Sequence, residues 1–139
     1  MGYRSEEKRD VNTLDHLFGL TGEVAIVTGG GRGIGRAFAE LYLGRGAQVM
    51  ACDVNTDDLA SFEAAAKEKG WKLATAKCDV SDEASVKAAF EKMVEAFGGV
   101  DVLVNNAGVS YRAVVEHVME NERLAQMDIN FLAPMELAR

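Results

Sequence analysis

Thr28-Gly29-Gly30-Gly31-Arg32-Gly33-Ile34-Gly35 is the stretch on which the reading of this chain turns. Glycine enters the left-handed region without penalty and lets another group approach the backbone closely. Four glycines within positions 29–33, and a fifth at 35, therefore specify a tight turn with an open backbone. On its N-terminal side stands Val24-Ala25-Ile26-Val27, an apolar and partly β-branched run. Such a run suits a strand buried on both faces, as in parallel sheets. On its C-terminal side the spacing predicts a helix from Gly33 to about Arg45, ended by Gly46, with Ala37, Phe38, Leu41 and Tyr42 as its inner face. A strand, a glycine turn and a helix in that order place free N–H groups and the positive end of a helix dipole at the turn, which suits a pyrophosphate.

The alternation continues outward. Ala47–Cys52 reads as a second strand, 57–69 as a second helix stopped by Gly70, and Trp71–Lys77 as a third strand. Ser81 is expected to cap a third helix, with Asp82 and Glu83 in its first turn. Its apolar positions Val86, Ala89, Phe90, Met93, Val94 and Phe97 recur at helical spacing up to Gly98-Gly99. Val100–Val104 reads as a fourth strand, and a final helix covers about 120–138. Strands and helices alternating through short connections imply an α/β fold: a Rossmann-type doubly wound parallel sheet, here four strands with helices on both faces. Residues 1–21 read as an N-terminal arm, with Val11, Leu14, Leu17 and Phe18 spaced as a short amphipathic segment, and 22–139 as the dinucleotide-binding domain.

Asp53 ends the second strand 18 residues past Gly35. An acidic residue there accepts hydrogen bonds from adenosine ribose hydroxyls and repels a 2′-phosphate, which favours NAD; as a plain strand end or helix cap it would favour neither. Arg32 leaves NADP possible, since its guanidinium could hold a 2′-phosphate or merely cover the adenine side.

Composition bounds the rest. At 139 residues, with 48% hydrophobic and 27% charged residues, the chain is one globular domain or part of one. A net charge of −7 argues against non-specific nucleic-acid binding. No run of 18 apolar residues suggests a membrane span. Cys52 and Cys78 lack metal-ligand spacing and read as buried fillers, so no metal site is expected. His16 and His117 read as surface residues, and a cytoplasmic protein is the default.

The spacing T-G-x-x-x-G-I-G differs from the common G-x-G-x-x-G and resembles the short-chain dehydrogenase/reductase family. The resemblance extends through Asp79-Val80, Asn105-Asn106-Ala107-Gly108 and Met127-Asp128-Ile129-Asn130, in family order. The lead-in Leu17–Glu23 is also similar to the start of many bacterial members. It implies that Thr28, Gly29, Gly31, Arg32, Gly33, Ile34 and Gly35 cradle the pyrophosphate and adenosine ribose, and that Asp53 reads the ribose. It implies that Asp79 and Val80 flank the adenine, and that Asn106, Ala107 and Gly108 run beside the nicotinamide ribose, with Asn105 bracing neighbouring strands. Asn130 would be the catalytic asparagine, whose carbonyl holds a water linked to the family's lysine. Pro134 lies four residues on and has no N–H, so it removes that carbonyl's helical partner.

The implied activity is NAD(P)-dependent hydride transfer with a small alcohol or ketone substrate, in a full-length protein expected to be a homo-oligomer. The alternatives are a non-catalytic dinucleotide-binding or interaction module, and an epimerase or dehydratase on the same scaffold, since fold does not fix chemistry. The family's chemistry needs a tyrosine whose pKa a neighbouring lysine lowers, in a Tyr-x-x-x-Lys pair, and a serine. The residues four past Tyr3, Tyr42 and Tyr111 are Glu7, Gly46 and Val115, and Ser110 follows the N-N-A-G motif too closely to be that serine. The expectation is therefore a chain truncated before the catalytic Tyr/Lys helix and inactive alone.

Overall fold

The computed structural model describes residues 19–111 and 114–139; the amphipathic segment expected around Val11–Phe18 lies outside the described residues. The chain runs β1 (Val24–Thr28), α1 (Gly33–Gly44), β2 (Gln48–Asp53), α2 (Thr56–Glu68), β3 (Leu73–Lys77), α3 (Glu83–Phe97) and β4 (Val102–Val104). A single 3₁₀ turn (Val115–His117) leads to α4 (Glu120–Met127), a π-helical turn (Asp128–Leu132) and α5 (Ala133–Leu137).

The four strands form one parallel sheet in the order β3-β2-β1-β4. Period-2 alternation sorts β1 and β2 onto two cores. Ala25, Val27, Val49 and Ala51 face α1 and α2, meeting Ala39, Leu43, Leu59 and Phe62. Val24, Ile26, Met50 and Cys52 face the other way, onto Ala89 and Met93 of α3. All five residues of β1 are buried, as a strand covered on both faces requires. With right-handed crossovers, α1 and α2 lead outward on one face, and α3 carries the chain back across the other to β4. The direction of travel therefore reverses beside β1, between β1 and β4.

Several sequence expectations shift. The inner face of α1 is Gly35, Ala39 and Leu43, with Tyr42 half-buried; Ala37, Phe38 and Leu41 are exposed. The reason is Gly35 itself: it is pressed against the glycine turn and so sets the rotation of the helix about its axis. Val94 of α3 is likewise exposed, while Val86, Phe90 and Phe97 pack on the core as expected. The cap of α3 is Asp82, whose Oδ1 accepts from Ala84 N at 3.3 Å, and Ser81 is turned back toward Asp79 instead. The final helix is broken at Asn130, and β3 and β4 start two residues later than expected. No helix among the described residues is long and apolar enough to cross a membrane.

Candidate dinucleotide site

In open parallel sheets, ligands bind outside the carboxyl ends of the strands where the strand order reverses. Here that place is the gap between the ends of β1 and β4, and the motif residues meet around it. Thr28 ends β1 with its side chain buried and its hydroxyl fully used. Its Oγ1 donates to the Val104 carbonyl at 3.3 Å and accepts from the N–H groups of Asn106 and Ala107, both at 3.1 Å. Thr28 thus staples the segment after β4 to the end of β1. Asn106 strengthens the staple: its Nδ2 donates to the carbonyls of Thr28 (3.1 Å) and Gly29 (3.2 Å).

The glycines are explained by what a side chain would strike. A Cβ on Gly35 would lie 2.2 Å from the Gly29 carbonyl oxygen and 2.5 Å from Asn106 Nδ2. Gly29 has φ +64° and its own Cβ would meet Ala107 Cα at 3.0 Å. The turn is therefore folded tightly onto the Asn106-Ala107 segment, leaving no room for carbon there. α1 then begins at Gly33, with φ +58°. Arg32 occupies the cap position without a side-chain hydrogen bond to the helix, and the first turn holds no acidic residue. Its leading N–H groups thus have no capping side chain, which is the arrangement that receives an anion.

Asp53 closes the outer side. Its Oδ2 accepts from Gly31 N at 3.0 Å and its Oδ1 from Asn55 N at 3.1 Å. The carboxylate therefore fixes the tip of the glycine turn while remaining half-exposed. Gly30 N donates to the Cys52 carbonyl at 2.9 Å, tying the turn to β2 as well. Further out, Asp79 and Val80 follow the end of β3. The Oδ1 of Asp79 accepts from Ser81 N (2.9 Å) and Ser81 Oγ (2.6 Å), which holds the carboxyl below its ordinary range. Cys52 and Cys78, buried just before these two aspartates, are free thiols. A hydrogen bond to Cys78 and burial push Cys52 well above the ordinary thiol range, and donation from Cys52 lowers Cys78.

On the other side of the gap, Asn130 sits at the centre of the π-helical turn. Its side-chain amide binds the Val109 backbone in both directions: Oδ1 accepts from Val109 N at 2.8 Å and Nδ2 donates to Val109 O at 2.7 Å. Asn105 Nδ2 reaches the Pro134 carbonyl at 3.4 Å, so a second amide ties the same two segments. Proline at 134 withholds an N–H from the preceding turn, and π-helical turns within a helix are frequent at functional sites.

The structure thus gathers Thr28, the glycine turn, Asp53, Asn106 and Ala107 at one strand junction. Gly108 and Asn130 stand alongside, where a Cβ on Gly108 would lie 3.3 Å from Asn130 Oδ1. Asp79 and Val80 lie two strands away, after β3, which is tied to Asp53 by Cys78 N donating to the Asp53 carbonyl at 2.9 Å. Sequence reasoning missed Asn55 and Asp58. The signal for Asn55 was available, since its side chain caps α2 three residues before Asp58. For Asp58 there was none, because only folding sets it beside Gly31 and Arg32.

The family model described as short chain dehydrogenase matches residues 23–139. The chain belongs to the short-chain dehydrogenase family. Among relatives within it, an uncharacterized oxidoreductase of Thermotoga maritima is 42% identical over 112 residues, covering 79% of this chain and 44% of that protein. The D-threitol dehydrogenase of Mycolicibacterium smegmatis is 38% identical over 121 residues, 85% of this chain and 45% of that protein. The crystal structure of a short-chain dehydrogenase/reductase from Burkholderia phymatum in complex with NAD superposes with a TM-score of 0.81 at 33% identity, covering 85% of this chain and 42% of that one. The chain spans about half the length of the short-chain dehydrogenases it matches.

Proposed function

We propose that this chain is the cofactor-binding part of an NAD-dependent oxidoreductase that moves a hydride between a nicotinamide and a small alcohol or ketone. The observation that carries the reading is the uncapped start of α1 above a glycine turn in which Gly29 and Gly35 leave no space for a Cβ. A pyrophosphate fits such a cradle because it needs close backbone approach and free N–H donors together. Gly29, Gly31, Gly33, Ile34, Gly35 and the backbone of Arg32 would hold that group, and Asp53 the adenosine ribose. Asp79 and Val80 would border the adenine, and Asn106, Ala107 and Gly108 the nicotinamide ribose. Thr28, with its hydroxyl spent on β4, positions rather than touches.

When bound, the nicotinamide supplies the hydride acceptor or donor. Asn130 contributes a proton path. Its side chain is committed to Val109, and Pro134 withholds the i+4 donor from its backbone carbonyl, which would hold a water. NAD is preferred because the Asp53 carboxylate at the turn tip would repel a 2′-phosphate. The two free cysteines suit a reducing compartment, in keeping with a cytoplasmic protein.

Calorimetric titration with NAD and NADP tests the reading. NAD should bind about tenfold or more tightly than NADP, and Asp53→Ala should erase most of that preference. Equal affinity for the two in the parent protein would sink the role of Asp53, and no binding of either would sink the site.

A further inference from the structure

Asp58 lies in the first turn of α2, where its backbone N–H donates to Asn55 Oδ1 at 3.1 Å. The tip of the glycine turn is wedged between two carboxylate side chains. A Cβ on Gly31 would fall 3.0 Å from Asp53 Oδ2 and 3.1 Å from Asp58 Cβ. The two acids differ in how they are satisfied. Asp53 accepts backbone N–H donors on both oxygens. The Oδ2 of Asp58 is shut off from solvent and accepts no hydrogen bond. What faces it is the guanidinium of Arg32, with Nε at 3.8 Å. A buried anionic oxygen without a donor is costly, and a nearby cation is its remaining compensation. The attraction is mutual and draws the guanidinium toward α2, while the Arg32 side chain stays 80% exposed and that of Asp58 31% exposed.

We propose that Asp58 is a positioning residue that sets dinucleotide choice by holding Arg32. This rests on the proposed function above and deepens it. Arg32 is the cation that a 2′-phosphate at the turn tip would recruit, because a guanidinium forks onto phosphate oxygens. Paired with Asp58, it must give up that contact to do so, which tilts the site toward a dinucleotide with a free 2′-hydroxyl. Asp53 excludes the extra phosphate by repulsion, and Asp58 excludes it by occupying its counter-charge. The second effect exists only while Arg32 is present, which separates it from simple repulsion by another acid.

The test is a double-mutant cycle on the full-length protein, titrated with NAD and with NADP. Asp58→Asn keeps the shape and the backbone N–H while removing the charge. It should shift the ratio of NADP to NAD affinity about threefold toward NADP. In an Arg32→Gln background the same substitution should leave the ratio where Arg32→Gln alone puts it. Should Asp58→Asn fold poorly, Asp58→Ser supplies the same comparison. An unmoved ratio, or an equal shift with and without Arg32, overturns the role of Asp58 while NAD binding still stands. A parent that binds neither dinucleotide overturns this role together with the proposed function.

Discussion

The starts of α1 and α2 stand side by side at the carboxyl edge of the same sheet and are finished in opposite ways. At α2, Asn55 Oδ1 accepts from the N–H groups of Asp57 (3.0 Å) and Asp58 (3.1 Å), and both of those residues put carboxylates in the first turn. At α1 the cap position holds Arg32, which bonds nothing in the helix, and the first turn has no acid. A capping side chain and an anionic ligand compete for the same few N–H groups. A helix start built for stability is therefore a poor anion site, and one left open gives up about 1 kcal/mol of capping to stay available. α3, capped by Asp82 with Glu83 in its first turn, falls with α2.

The largest test of this contrast is Gly35→Ala. Its Cβ would meet the Gly29 backbone first, so the turn itself must shift. A loss of about 3 kcal/mol in urea denaturation is expected. Dinucleotide binding should disappear with it. A variant of parental stability that still binds NAD would show that the close fit of the turn is incidental.

Exchanging the finishes of the two helix starts should separate stability from binding. With Asp58→Asn removing the charge that Arg32 faces, Arg32→Ser gives α1 a capping hydroxyl and should raise stability by about 0.5 to 1 kcal/mol over Asp58→Asn alone while lowering NAD affinity about fivefold. Asn55→Ala should do the reverse in part, costing about 1 kcal/mol with NAD affinity within about twofold of the parent. Paired thermal melts and titrations read both signs. Loss of stability on adding Arg32→Ser to Asp58→Asn would break the comparison at its centre.

The smallest effect belongs to the edge of the site. Asp79 is held below its ordinary value of 3.8 by Ser81. A depressed carboxylate contributes stability that is fully present above the unfolded value and is lost as pH falls through the lower folded value. Asp79→Asn removes that dependence, so its urea midpoint should fall less than the parent's between pH 4 and pH 2. Parallel acid limbs would show that the Ser81 bonds carry no net stability. Because Asp79 is exposed, the difference will be small beside that of the helix-start variants.

Local chemistry in the chain determined which elements form and what the turn can receive. The run Val24–Val27 has to be a strand covered on both faces, five glycines within 29–35 have to be a turn with an open backbone, and Pro134 has to disturb the helix around Asn130. Each follows from backbone sterics, hydrogen-bonding capacity or apolar period within a few residues, so each is legible without the fold. Tertiary structure decided how those pieces face one another. Which side of α1 is inner was misread from Phe38 and Leu41, since the helix is rotated by the fit of Gly35 against Gly29, a contact that exists only after the turn closes. The cap of α3 passed from Ser81 to Asp82 because Asp79, at the end of β3, claims the serine. The reciprocal grip of Asn130 on Val109 and the placing of Asp58 against Arg32 join residues 21 and 26 positions apart. No local pattern records them, because their energies depend on distances that only the packed sheet and its crossovers establish.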